Sequence, residues 1–202
     1  MLALFISFLT TAKEPVLPHA FNYETTPEIQ QQLQPGPDLT PLANLIGAVE
    51  SDTVGGYNAA NGGSPMDLGK DGLVRVTGRR CEEVTIREIK AWQKRGLLYA
   101  VGRYQMIPST LSAAVKWSGL KDSDYFTPQN QDKMLEALLK HKRPSVWAHI
   151  KNGASINSAI TDLAREWAGL PTLRGSSYYG YGNRSHASVP QVVAALEAAR
   201  AW

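Results

Sequence analysis

Apolar residues recur at helical spacing along most of the chain. Leu42, Leu45, Ile46 and Val49 fall at i, i+3, i+4 and i+7, which predicts an amphipathic helix starting at Thr40-Pro41 and ending at Glu50. Thr40 suits an N-cap, and Pro41 suits the first helical position, where its missing N–H has no helical partner to lose. Thr85-Ile86-Arg87-Glu88 has the capping-box pattern and opens a helix with Ile86, Ile89 and Trp92 on one face. Pro108 marks the start of a helix over Ser109–Ser118, so Gly102–Gln105 reads as the turn before it. Thr127-Pro128 opens another, whose stripe is Met134, Leu135, Leu138 and Leu139. Ile156, Ile160, Leu163, Ala164 and Trp167 define the next, broken at Gly169-Leu170-Pro171, and an alanine-rich helix runs from Val189 to Trp202.

Between these helices the pattern changes. Gly55 to Gly72 carries six glycines with Asn58, Asn61, Ser64, Asp67 and Asp71, and Leu73–Val76 reads as a short β piece of a hairpin. Arg174–His186 is rich in glycine and tyrosine and predicts no regular element. The order of elements predicts an α+β domain, mostly helical, with a small β-hairpin lobe beside a cleft.

The start of the chain is different again. Leu2–Leu9 is apolar but too short to span a bilayer, and it lacks the positive leader of a signal peptide. Two readings stay open: an exported segment, or a hydrophobic tag that docks into a partner protein. From Pro15 to Asp38, five prolines and the run Gln30-Gln31-Gln32 read as an extended arm, with room for a short helix within Pro27–Leu33. The expected division is therefore an arm over residues 1–38 and a folded domain over residues 39–202.

Composition narrows the chemistry. With 202 residues, 43% hydrophobic and 19% charged, the chain can bury a substantial core. Its net charge of +3 and pI near 9.0 suit an anionic polymer without choosing one. There is no basic run interleaved with aromatics, so no nucleic-acid partner is expected. Cys81 is the lone cysteine, which excludes an internal disulfide. His19, His141, His149 and His186 show no ligand spacing, and neither a metal nor another cofactor is expected.

Glu50 is the candidate for chemistry. The helix macrodipole disfavours a negative charge at a C-terminal end, so a carboxyl placed there against Gly55-Gly56 and Tyr57 would be raised in pKa. Such a group can act as a general acid near neutrality. Taken alone, a Glu at a helix end is most simply a solvated surface side chain, and it is the rest of the chain that favours the sharper reading.

Five motifs carry that weight: Ala48-Val49-Glu50-Ser51, Gly102-Arg103-Tyr104-Gln105, Gly119-Leu120-Lys121-Asp122 ahead of Phe126-Thr127-Pro128, Trp167-Ala168-Gly169-Leu170-Pro171, and Gly180-Tyr181-Gly182-Asn183. In this order and spacing the chain resembles the lysozyme-like superfamily, and within it the phage lambda endolysin family of lytic transglycosylases, over roughly Leu42 to Ala201. The resemblance implies a peptidoglycan substrate and a lysozyme-like fold. It implies Glu50 as the catalytic acid, Tyr104 and Gln105 as cleft residues, and Tyr181 as an aromatic of the cleft wall. Tyr57 joins these as a candidate wall residue. Trp167 is expected to pack in the core, and Arg103 either to pair with a carboxylate or to contact substrate. The Gly62–Arg80 loop departs from the family pattern, and the arm has no counterpart in it.

The resemblance also implies a reaction. A lytic transglycosylase breaks the N-acetylmuramic acid β-1,4 N-acetylglucosamine bond and closes a 1,6-anhydro ring, using one carboxyl. A hydrolytic muramidase would need a second carboxylate, for which Asp52, Asp67 and Asp71 are the candidates. A non-catalytic wall-binding component of a virion or secretion apparatus is the third reading. The expected location is a phage virion or the bacterial envelope, and the arm is the expected contact for a virion or secretion protein.

Overall fold

The structure, a computed structural model, describes residues 36–63, 67–180 and 182–200. The Leu2–Leu9 segment, the arm as far as residue 35 and the short helix expected within Pro27–Leu33 lie outside the described residues, as does Tyr181. All described residues belong to one compact unit, Pro35–Trp202.

The helical spacings turn into helices close to where they predict them. Helix α1 spans Thr40–Glu50, with Leu39 rather than Thr40 at the N-cap; the Asp38 carboxylate accepts from the Thr40 N–H at 2.9 Å. The short helix α2, Gly72–Thr77, lies where Leu73–Val76 was expected to be extended. Local β propensity from Val74 and Val76 is outweighed by tertiary position: Gly72 packs against the Ala60 carbonyl so closely that a Cβ would collide with it, and Leu73 is fully buried. Gly78, in the left-handed region at φ 72°, closes α2 by donating to the Val74 carbonyl.

Helix α3, Ile86–Lys94, begins with the expected capping box: Thr85 Oγ1 accepts from the Glu88 N–H, and the Glu88 carboxylate accepts from the Thr85 N–H at 2.8 Å. Helices α4 (Pro108–Ser118), α5 (Pro128–His141) and α6 (Pro144–Asn152) each start on a proline. Helices α7 (Ile156–Glu166) and α8 (Val189–Ala198) complete the eight α-helices among the described residues. The small antiparallel pair is β1 (Ala60–Asn61) with β2 (Ala100–Val101), in the register Ala60 to Val101 and Asn61 to Ala100. Its partners are separated by α2 and α3, so the pair ties the glycine-rich loop to the turn before α4.

Two cores share one helix. Leu42 and Ile46 of α1, Val146, Ile150, Ile160, Leu163 and Leu196 pack with Leu135 and Leu139 of α5. Leu73, Ile86, Ile89, Met106, Leu111 and Phe126 pack with Met134 and Leu138 on another side of the same helix. The pairs 134/138 and 135/139 lie side by side on adjacent i, i+4 rows, so the apolar stripe of α5 is broad enough to serve both cores. No helix among the described residues is long and apolar enough to cross a membrane.

Candidate active site

Glu50 is the last residue of α1 and is partly buried. Its Oε1 accepts from the Gly169 N–H at 3.0 Å, joining the end of α1 to the loop after α7. Burial raises its carboxyl above the ordinary range, against the opposing pull of that N–H and of the nearby His186. A methyl on Gly169 would sit 3.0 Å from both Glu50 Oε1 and Val49 Cβ, so the glycine is what allows the backbone to approach the carboxyl this closely. No Lys or Arg pairs with Glu50 among the described residues.

Glu50 lines two cavities. A groove of about 600 Å³ is lined by Glu50 together with Asn61, Tyr104, Gln105, Trp167 and Tyr179. A smaller depression of about 300 Å³, also lined by Glu50, is walled by Gly169, Gly182, Asn183 and His186. Asn183 lines both.

Of the residues expected around Glu50, Tyr104 and Gln105 share its groove. Tyr104 lines it while almost fully buried: the residue is only 1% exposed, and its hydroxyl donates to Asp132. Gln105 is held in place on both ends of its amide. Its Oε1 accepts from Asn61 Nδ2 at 3.0 Å, and its Nε2 donates to the Gly102 carbonyl at 2.9 Å. Its φ of 47° is a left-handed conformation unusual for a residue with a Cβ, and it turns the side chain back over the Gly102–Gln105 turn. Trp167 packs as expected, 3% exposed, with its indole N–H donating to the Tyr104 carbonyl at 3.1 Å.

Tyr57 lies elsewhere. It lines a separate depression of about 660 Å³ with Leu39, Ala43 and Asp132, which shares no lining residue with the Glu50 groove. Its hydroxyl donates to Asp132 at 2.9 Å, and its ring packs edge-on against Tyr104 with centroids 6.4 Å apart. A hydroxyl satisfied by a carboxylate and a ring set against another tyrosine make Tyr57 part of the support behind Tyr104. Arg103 takes the carboxylate-pairing role, gripping Asp52 through Nε and Nη2 at 3.0 Å each. Asp52 is thus held away from the groove, Asp67 accepts from the Gly69 N–H in its own loop, and neither they nor Asp71 line the groove.

The second carboxyl of the groove is one the sequence did not single out. Glu166, at the end of α7, has a side chain only 5% exposed, and it accepts from Lys142 at 2.7 Å and from Arg143 at 2.8 Å. These partners lie more than twenty residues away in the chain, and no local periodicity signals their meeting. Tyr99 and Tyr179, both about half exposed, are further groove residues that motif reading missed. Among the described residues no group of three or more His, Cys, Asp or Glu side chains is placed to hold a metal ion.

A profile of the Endolysin family matches residues 76–199. That is more than half of the chain, and the chain belongs to this family. It is accordingly a phage-type, peptidoglycan-cleaving enzyme that acts on the cell wall. The matched span takes in Tyr104, Gln105 and Trp167 but begins after α1, so Glu50 lies outside it. Neither the curated proteins nor the solved structures compared with the chain gave a match.

Proposed function

We propose that this endolysin is a lytic transglycosylase that cuts the β-1,4 bond between N-acetylmuramic acid and N-acetylglucosamine, with Glu50 as its acid and its base. One observation carries the reading: of the two carboxyls lining the groove, Glu166 is neutralised by Lys142 and Arg143, while Glu50 meets a backbone N–H and no Lys or Arg. Burial keeps Glu50 protonated to a higher pH than an exposed carboxyl, which is the state a general acid needs at rest.

In this reading the Glu50 carboxyl gives its proton to the glycosidic oxygen as the bond from muramic C1 breaks, releasing N-acetylglucosamine with a free 4-hydroxyl. Positive charge then develops at C1 beside the carboxylate just formed. Glu50 takes the proton of the muramic C6 hydroxyl while O6 bonds to C1, and the carboxyl returns to its starting state. No water is consumed. A hydrolase would require a second free carboxylate to act as nucleophile or to activate water. Glu166 is ill-suited to that task because both of its oxygens already accept from cations.

Sacculi incubated with the chain are expected to release muropeptides ending in 1,6-anhydro-muramic acid, and Glu50→Gln is expected to release none. Reducing muramic ends from the unaltered chain would replace this reading with the hydrolytic one. Wall binding without release would replace it with a non-catalytic one.

A further inference from the structure

The groove beside Glu50 holds more positive charge than its own structure uses. Lys142, Arg143 and Arg165 all line it, and of the two carboxyls that line it among the described residues, Glu166 is the one paired with a Lys or Arg. Lys142 Nζ donates to Glu166 and to Thr110 Oγ1 at 2.8 Å, which leaves its third N–H without an acceptor among the described residues. Arg143 donates through Nε to Glu166 and through Nη2 to the Arg165 carbonyl, two of its five N–H groups. Arg165 is 49% exposed; its guanidinium lies over the Tyr178 ring, 5.6 Å from the centroid, and stands 4.0 Å from Asp162.

The wall is built rather than incidental. Arg143 is only 18% exposed and Lys142 32%, so both cations are partly desolvated, and Glu166 fixes their position from beneath. Tyr179 crosses the same wall, its hydroxyl donating to the Arg165 carbonyl at 2.6 Å. Fixed, partly desolvated donors at the side of a groove select an anion, because each N–H left over gains more from a carboxylate than from water.

We infer that Lys142, Arg143 and Arg165 form an anion-recognising wall of the Glu50 groove, which receives a carboxylate carried on the muramic acid sugar. The inference rests on the reading of this groove as the glycan site. On a muramic residue that carboxylate is either the lactyl group itself, where the sugar is bare, or a carboxylate of the attached stem peptide. Oligomers of N-acetylglucosamine carry neither. The wall therefore gives the groove a reason to prefer peptidoglycan over an uncharged glycan with the same linkage.

Calorimetric binding in the Glu50→Gln background tests this without depending on bond cleavage. Three tetrasaccharides serve as probes: a muramyl glycan with its stem peptides, the same glycan after amidase treatment, and an N-acetylglucosamine tetramer. Lys142→Gln and Arg165→Gln are each expected to weaken binding of the muramyl probes by about tenfold, the loss of one charge-assisted hydrogen bond, and to leave the uncharged tetramer unaffected. Glu166→Gln breaks the same ion pair as Lys142→Gln yet adds to the positive excess, so muramyl binding should hold or tighten. Arg165 makes no bond to Glu166 and stands 4.0 Å from Asp162, so its variant tests the inference even if removing Lys142 harms folding. Tighter binding of the peptide-bearing probe places the contact on the stem peptide, and tighter binding of the bare probe places it on the lactyl group.

Equal weakening by Lys142→Gln and Glu166→Gln, with no effect of Arg165→Gln, would reduce the cluster to a structural ion pair. Tetramer binding as tight as that of the muramyl probes would also overturn it. Failure of all three probes to bind would remove the glycan reading of the groove, and the inference with it.

Discussion

Gly47→Ala separates helix propensity from tertiary fit. Gly47 lies within α1, where alanine would ordinarily stabilise the helix by about 1 kcal/mol. Here a methyl would stand within 2.8 Å of Arg103 Cζ and closer still to Nε, so the guanidinium must leave its place against the helix. That guanidinium holds Asp52 with two bonds of 3.0 Å and meets Asn44 Oδ1 at 3.2 Å. Because Asp52 is 38% exposed, the grip is discounted for solvent, to about 2–3 kcal/mol for the whole arrangement. The net expectation is destabilisation by about 1–2 kcal/mol, read as a lower urea midpoint at unchanged slope. In an Arg103→Ala background the obstacle is gone, and the same substitution should become stabilising by up to about 1 kcal/mol. Activity should fall in Gly47→Ala as well, since Arg103 joins α1 to the Gly102–Gln105 turn. Stabilisation of the unaltered chain by Gly47→Ala, or an identical effect in both backgrounds, would mean that Arg103 does not oppose a side chain at position 47.

Two further expectations follow from the site. Glu50 titrates above its ordinary value of 4.5 in the folded chain, so folding holds a proton that the unfolded chain releases. The stability this contributes is present at low pH and is lost as pH rises through the folded-state value. Glu50→Gln should therefore melt at a higher temperature than the unaltered chain at neutral pH, and the two should converge below pH 4.5; a constant gap across that range would count against a desolvated carboxyl. Tyr57→Phe should lower stability by about 1 kcal/mol through the lost bond to Asp132 while leaving muropeptide affinity unchanged, and a weakened affinity by calorimetry would return Tyr57 to the groove.

The helices were legible because their apolar residues repeat at the helical period and several start on Pro or a capping Thr, signals contained within a few residues. Leu73–Val76 misled for the converse reason: its valines read as extended, while contact with Ala60 and the cap at Gly78 shape it as a helix. At the site, the helix-end position of Glu50 was a weak signal by itself, and its place as the first of five motifs in family order is what singled it out. Tyr57 lies close to it in sequence, but the chain turns through two short 3-10 helices, Asp52–Val54 and Gly56–Asn58, and Tyr57 ends up against Asp132. Glu166 with Lys142 and Arg143, and Asn61 with Gln105, meet only through the packing of distant elements. Each looks like an ordinary surface polar residue until the fold brings its partner to it.

In the proposed reaction one carboxyl cuts the strand without admitting water. This is tested most directly by digesting sacculi in water enriched with oxygen-18 and weighing the released muropeptides. Unlabelled products are expected, lighter than the hydrolysis products by one water and closed as the 1,6-anhydro sugar. Muramic ends bearing the heavy oxygen would contradict the proposed reaction.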